Sequence, residues 1–322
     1  MNTTSRWVSA VWLALAAACW GLGTVMTKHA LDGVSPFTLT VVQLAASAIF
    51  LWTLVAVQRL RLPPRREMIQ PAVTGLLEPG LTITFAVLGL KLTTASITTL
   101  IFASQPILII LLAWRVLRER LTRPLIALSA LAVIGVVLVA GVNPGDGNSG
   151  TLTGNALIVA SLFACSLYLV LARRMVMTLD PLLLVALQQI VGLAWVLLVW
   201  PIELTQIGLA GLTAIPPGAW LWAAASGIVY YALGFWFYVS GLKGTPASLA
   251  ALFLSLTSIF GVGGAYVFLG ERLFPIQWIG AVLILLAVFG VSRPQPAEVE
   301  AAHRQSPISN YQLPLSSHRR PS

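Results

Sequence analysis

Charge is what this sequence has least of. Of its 322 residues, 9% are Asp, Glu, Lys or Arg, and only 10 are acidic. Soluble domains run near about 25% charged. A chain this long cannot cover a water-facing surface with so little charge, so lipid must be the solvent for most of it. Histidine and cysteine are almost as scarce. There are three histidines (His29, His303, His318) and two cysteines (Cys19, Cys165). Each cysteine sits inside an apolar stretch and reads as a packing residue, which excludes a disulfide framework and a zinc site. There is no His-Glu-x-x-His, no Gly-x-Ser-x-Gly and no Walker loop, so no enzyme site stands out and ATP-driven transport within this chain is excluded. No cofactor or metal is implied. The net charge of +9 does not point to nucleic acid either. The basic residues sit in short breaks between apolar runs, not on one face of a folded domain.

What is abundant is apolar sequence: 58% of residues, with a mean hydropathy of +0.90. A spanning helix needs about 20 apolar residues to cross roughly 30 Å of hydrocarbon. Ten stretches qualify: 7–27, 36–57, 71–90, 95–114, 124–141, 154–172, 181–200, 218–239, 246–268 and 275–291. The first is no signal peptide, because the run continues past Ala18 through Trp20-Gly21-Leu22 and has a counterpart at 154–172. Alternate loops fall on the same side. One side then carries 16 of the 19 Lys and Arg residues, and the other carries Lys28, Lys91 and Arg272. Positive loops stay inside, which predicts a multi-pass protein of the bacterial inner membrane with both termini cytoplasmic.

A block occurs twice. Gly89-Leu90-Lys91 opens a stretch that closes on Glu119-Arg120-Leu121, and Gly241-Leu242-Lys243 opens another that closes on Glu271-Arg272-Leu273. Both pairs of motifs lie 152 residues apart, and Thr93, Ala95, Ser96, Leu100 and Ile107 recur as Thr245, Ala247, Ser248, Leu252 and Ile259. Pro36 and Gln43 correspond to Pro181 and Gln188 at an offset of 145. Five helices per copy is odd, so the second copy enters the membrane from the opposite side. The first Glu-Arg-Leu lies among Arg115, Arg118 and Arg123, where the second has Val267, Gly270 and Pro275. The predicted fold is therefore all-α and integral to the membrane, with ten transmembrane helices as two inverted five-helix repeats. The expected divisions are 1–141 for the first repeat, 142–153 for an external linker, 154–291 for the second repeat and 292–322 for a disordered cytoplasmic tail.

Five plus five spans, Ala-Cys-Trp-Gly at 18–21 and the repeated Leu-Lys … Ala-Ser … Glu-Arg-Leu together resemble the EamA branch of the drug/metabolite transporter superfamily. The resemblance covers about residues 7–291 and implies a multispecific or metabolite-exporting secondary carrier. Its partners would be a small-molecule solute and the bilayer. Members of the superfamily often carry Arg where this chain has Gln43, and Pro where it has Ser258, although Pro106 is kept. A membrane-embedded lipid-modifying enzyme and a non-transporting scaffold are the competing classes. The first needs a polar cluster at one interface, and the second leaves an intramembrane carboxylate unexplained.

That carboxylate is Glu78, seven residues into the third stretch and roughly 10 Å deep at 1.5 Å per residue. Thr74, Glu78, Thr82 and Phe85 fall on one face of a regular helix. An acid at such depth costs about 3 kcal/mol unless it meets protein or water. It reads either as a proton-coupling or cation-binding group, or as a protonated or paired brace. Tyr230 is its repeat mate, and with Tyr231, Phe235, Trp236, Phe237 and Tyr238 it forms either an aromatic wall for a solute or ordinary packing. Gln43 and Gln188 are a repeat-related polar pair suited to solute contact or to bonds between helices. Trp20 and Tyr168 stand where the first and sixth helices face a central cavity. Glu119 and Glu271 belong to the repeated motif and read as structural, fixing the turn between the last two helices of each copy. Trp7, Trp52, Trp114, Trp200, Trp220, Trp222 and Trp278 lie near span ends and read as interface anchors.

Overall fold

The computed structural model describes residues 3–90, 92, 101, 102, 104–140, 151–268 and 275–292. Every regular element among them is helical: α1 (Thr3–Leu31), α2 (Pro36–Val57), α3 (Arg65–Val73), α4 (Thr82–Leu90), α5 (Gln105–Leu112), α6 (Arg123–Ala140), α7 (Leu152–Met175), α8 (Pro181–Thr213), α9 (Pro217–Gly227), α10 (Phe235–Leu242), α11 (Ala247–Phe253), α12 (Leu256–Phe268) and α13 (Pro275–Ser292). Pro36, Pro181, Pro217 and Pro275 each open a helix. There the missing N–H costs nothing and the fixed φ suits the first turn.

Among the described residues, five helices are long and apolar enough to cross a membrane: Trp7–Leu31, Pro36–Val57, Leu152–Met175, Pro181–Gly208 and Pro217–Leu242. Shorter apolar helices cover Gln105–Leu117, Arg123–Gly135, Ala247–Gly261 and Trp278–Gly290. The outward faces stay apolar. Ile49, Leu198 and Leu221 are each at least 70% exposed, a pattern that suits hydrocarbon and would be a liability in water. Inside, small residues let helices approach closely. A Cβ on Gly21 of α1 would meet Gly261 N and Thr257 O of α12 at 2.6 and 2.7 Å, the close approach that small residues allow between membrane helices.

The contacts between the copies come in exchanged pairs. Gly75 abuts the backbone of Gln188, and Gly227 abuts the backbone of Gln43. Beside the first, Gln188 Nε2 donates to Thr74 Oγ1 at 2.8 Å; beside the second, Gln43 Nε2 donates to Ser226 Oγ at 2.9 Å. Thr74-Gly75 and Ser226-Gly227 are 152 residues apart. A glutamine on the second helix of each copy thus clamps a hydroxyl-glycine pair on the third helix of the other. An approximate two-fold relation between the copies would produce this exchange.

The third helix of each copy is irregular at the same place. After α3 the chain tightens at Thr74–Leu76, widens to a π-type turn at Leu77–Leu81 and resumes as α4. Glu78 is extended (φ −137°, ψ 119°) and its bond to Pro79 is cis. In the second copy the widened turn is Ile228–Gly234, between α9 and α10. The regular face expected for Thr74, Glu78, Thr82 and Phe85 therefore does not form, because an extended residue and a widened turn shift the register between Thr74 and Thr82. The carbonyls freed at the break find hydroxyls. Thr82 Oγ1 donates to Leu77 O at 2.9 Å, Thr84 Oγ1 to Gly80 O at 3.0 Å, and Ser161 Oγ from α7 to Thr82 O at 2.8 Å. Buried backbone in a membrane requires such partners.

Two other stretches differ from expectation. The ninth divides at Leu254-Ser255 into α11 and α12. The seventh continues past Trp200 to Thr213, with a break at Gly208 (φ 64°). It continues because Glu203 has a partner: its carboxylate accepts from Phe37 N (2.9 Å), Thr38 N (2.8 Å), and the Ser35 and Thr38 hydroxyls, capping α2 from across the bundle. Trp52 and Trp200 also turn inward. Trp52 Nε1 donates to Ala186 O and Trp200 Nε1 to Thr38 Oγ1, which ties α2 to α8 at both ends. The expected linker residues 142–150 and the tail from 293 onward lie outside the described residues.

Candidate functional site

A cavity of about 340 Å³ lies where the irregular segments of both copies converge. From the first copy come Glu78 and Thr82 at the widened turn, and Phe102, Gln105 and Pro106 around the start of α5. From the second come Tyr230, Tyr231 and Phe235, with Leu254, Ser255, Thr257 and Ser258 at the gap between α11 and α12. Trp20 of α1 and Cys165 and Leu169 of α7 complete the wall. The volume falls in the range of sites that hold small molecules.

Glu78 is 5% exposed, and its Oε2 has no hydrogen-bond partner among the described residues. Thr82 and Cys165 adjoin the carboxyl, and Gln105 Nε2 donates to Cys165 Sγ at 3.2 Å. Pro79 behind it packs on Gly192 of α8, so the break is held rigidly. Two further polar groups at the cavity are buried without a partner among the described residues, Trp20 Nε1 and Ser255 Oγ. A buried polar atom with no partner is uncommon and costly; here three such atoms share one cavity. Aromatic rings make up much of the remaining wall. Tyr231 stacks on Phe235 (6.2 Å, 4°), Tyr230 meets Tyr231 edge-on (4.8 Å, 60°), and Trp20 meets Phe235 edge-on (5.1 Å, 76°). Gly234 is what admits the indole, since a Cβ there would sit 2.7 Å from Trp20 Nε1.

Of the residues singled out from sequence, the structure brings Glu78, Trp20, Tyr230, Tyr231 and Phe235 to this cavity and holds Gln43, Gln188, Tyr168, Trp236 and Glu119 elsewhere. Gln43 is occupied by Thr27 and Ser226, and Gln188 by Thr74 and by the hydroxyl of Tyr168, which donates to its Oε1 at 2.9 Å. Tyr168 is 1% exposed and belongs to that clamp. Trp236 packs on Trp12 and Phe237, outside the cavity lining. Glu119 does not brace its own turn: its carboxylate accepts from Ala247 N (2.9 Å), Ser248 N (3.0 Å) and Ser248 Oγ, capping α11 of the other copy. Glu271 lies outside the described residues. Sequence reasoning passed over Ser255 and Thr257. The signal that could have found them was Pro106 with Ser258, which marks the fourth helix of each copy as the place where the chain breaks. Among the described residues no group of three His, Cys, Asp or Glu side chains could hold a metal ion.

The same architecture appears in the family comparison. The model of the EamA-like transporter family matches residues 7–141 and again residues 152–293. The chain belongs to that family. Related proteins are themselves described only as uncharacterized transporters. YetK of Bacillus subtilis (strain 168) is 24% identical over 222 residues, a match spanning 68% of this chain and 66% of YetK, just under two thirds of its length. A protein of Archaeoglobus fulgidus is 23% identical over 282 residues, 87% of this chain and 97% of that one. YyaM of Bacillus subtilis (strain 168) is 29% identical over 208 residues, 63% of this chain and 66% of YyaM. A crystal structure superposes with a TM-score of 0.72 at 18% identity, covering 91% of this chain and 99% of the other; that likeness shows the fold. As an EamA-like protein, this chain is a membrane transporter, and its cavity lies where the two family units meet.

Proposed function

We propose that this chain is a secondary carrier that exports small metabolites, amino acids or drug-like solutes across the cytoplasmic membrane by alternating access, with proton exchange at Glu78. The observation that carries this reading is the convergence of broken helices from both copies on one cavity that holds an unpaired carboxylate oxygen. Transporter sites lie at the interface between repeats and are built from interrupted helices. An intramembrane acid turned to a cavity, not to lipid, suits coupling. The full arrangement is ten spans in two inverted repeats, 1–141 and 154–291, with 142–153 outside and both termini, including the tail from 292, in the cytoplasm. The 16-to-3 bias of Lys and Arg supports that orientation.

Comparing the metabolites released by deletion and overexpression cells would supply solutes to test. Uptake of those solutes into proteoliposomes under an imposed pH gradient then tests the mechanism. The wild-type protein should drive uptake, and Glu78→Gln should abolish or uncouple it while remaining folded. A Glu78→Gln protein that transports at the wild-type rate with unchanged pH dependence would remove Glu78 from the mechanism. Impermeant labelling of the tail from the periplasmic side would overturn the orientation.

A further inference from the structure

The far end of α5 carries a second recess, lined by different residues from the transport cavity. We infer that it binds the phosphate headgroup of an anionic glycerophospholipid among Arg115, Arg118 and Arg120, with the lipid's chains along an exposed apolar stripe of α5. Binding does not depend on the carrier reading. Only the leaflet, the cytoplasmic one, rests on the orientation proposed above.

Past α5 the chain widens to a π-type turn at Ala113–Leu117, and Arg118 N and Glu119 N both fold back to donate to Ala113 O. The helix stops because Arg118 turns left-handed (φ 57°, ψ 32°). An L side chain is strained in that region, and glycine is the usual residue at such a helix end. The sequence supplies that usual residue once: the repeat mate of Arg118, 152 residues on, is Gly270. An arginine kept where glycine would be cheaper is kept for its side chain. The turn wraps a recess of about 560 Å³, lined by Trp114, Arg115, Arg118, Glu119, Arg120 and Leu121.

Charge sets the sign of the ligand. Arg115, Arg118 and Arg120 are all exposed. The acid among them is already engaged: Glu119 Oε1 accepts from Ala247 N, and Oε2 from Ser248 N and Ser248 Oγ. The lining thus offers three guanidiniums and one carboxylate committed to α11. Guanidiniums pair with phosphate through parallel hydrogen bonds. A choline headgroup would add an ammonium beside them, and Glu119 is not available to pair it. Membrane topology asks for basic residues in this loop, but not for three arginines around one hollow. The protein's own tail is a poor occupant on charge, since from residue 293 it carries four arginines against Glu298 and Glu300.

The surroundings favour a lipid over a soluble phosphate. Ile107, Leu111 and Trp114 fall at i, i+4 and i+7 and are all exposed, so they form one apolar stripe that runs to the edge of the recess. Acyl chains fit along that stripe, below a headgroup held by the arginines. A soluble phosphate makes no use of it. Trp114 stands at the level where indoles prefer to lie, between hydrocarbon and headgroups, and basic pockets on the cytoplasmic side of membrane proteins take anionic headgroups.

Native mass spectrometry of the purified, delipidated full chain reads the affinity of the first lipid bound. Dioleoylphosphatidylglycerol should bind at least about fivefold more tightly than dioleoylphosphatidylcholine, and Arg115→Gln/Arg120→Gln should weaken it roughly 25-fold, about fivefold per arginine. That variant removes two of 16 inside charges against 3 outside, so orientation is kept. Arg118→Gly should also weaken phosphatidylglycerol about fivefold, yet unfold at the same temperature or higher, because glycine relieves the left-handed backbone. Lost binding is thereby separated from a lost fold. Arg61→Gln/Arg66→Gln removes the same charge from the exposed segment before and at the start of α3 and should leave the affinity unchanged. Equal losses from the two double variants would mean diffuse attraction to a basic surface and would overturn the site, as would equal binding of the two lipids. Inorganic phosphate or glycerol 3-phosphate at the lipid's concentration should not displace it. Displacement would assign the recess to a soluble phosphate and overturn the lipid.

Discussion

Gly75→Ala should destabilise this protein by about 0.5–2.5 kcal/mol, although it adds a single methyl group. The helical propensity change alone runs the other way, since Ala is favoured over Gly by about 1 kcal/mol in a helix interior. What decides the sign is the neighbour. A Cβ at Gly75 would stand 2.8 Å from both C and Cα of Gln188. Ordinary contact begins near 3.4 Å and the Gln188 carbonyl oxygen lies nearer still, so the third and seventh helices must part by more than about half an ångström. The obstacle is backbone and cannot rotate away. Overpacking of this kind costs about 1–3 kcal/mol. Separation also stretches the adjoining bond from Gln188 Nε2 to Thr74 Oγ1, now 2.8 Å, and such bonds between membrane helices are worth about 0.6 kcal/mol on average. Gly227→Ala should behave alike, because its Cβ would meet the Gln43 carbonyl oxygen and stand 2.5 Å from Gln43 Cα beside the equivalent bond to Ser226. Gly263→Ala is the control, with nothing within 4 Å of its added Cβ, and should be neutral or stabilising. Chemical unfolding in mixed micelles measures all three. Gly75→Ala and Gly227→Ala as stable as Gly263→Ala would refute the exchanged crossing as a packing constraint.

Glu119→Ala should cost about 1–2 kcal/mol in the same assay, since it removes the cap from α11, and Ser248→Ala in that background should add little. Tyr230→Ala should weaken binding of an aromatic or amphipathic solute roughly 2- to 13-fold, the range for one aromatic pair. Trp236→Ala, whose ring lies against Trp12 and Phe237, should leave it unchanged. Equal losses from both would mean that the aromatic segment is felt through packing and not by contact.

The repeat was legible because duplication leaves a fixed offset, and the all-helical class was legible because apolar runs of membrane length have few other solutions. Glu78 was legible because an acid in such a run is conspicuous. The glutamines were harder. Gln43 and Gln188 stand out in sequence just as a solute ligand would, yet each side-chain amide donates to a hydroxyl on the third helix of the other copy. Only the crossing partner, 183 residues away for Gln43 and 114 for Gln188, reveals that role. Trp236 shows the same limit, because helical position gives depth but not rotation once a widened turn intervenes, while Tyr168 on the regular α7 is spent on Gln188. The break at Glu78 shifted the register that the spacing of Thr74, Glu78 and Thr82 assumes. Glu119 and Glu203 were unreadable for a similar reason: each carboxylate caps a helix in the other copy, and no local pattern announces a cap supplied from a distance.

The central claim is that one cavity between the copies opens to each side of the membrane in turn. Ser258 lines that cavity and is half-buried. A Ser258→Cys protein, with Cys19 and Cys165 replaced by Ala, can be reconstituted in one orientation and exposed to a small impermeant thiol reagent from either side. The account predicts labelling from both sides, with a bound transported solute slowing both reactions. Labelling from one side only, under every condition of pH and ligand, would contradict it.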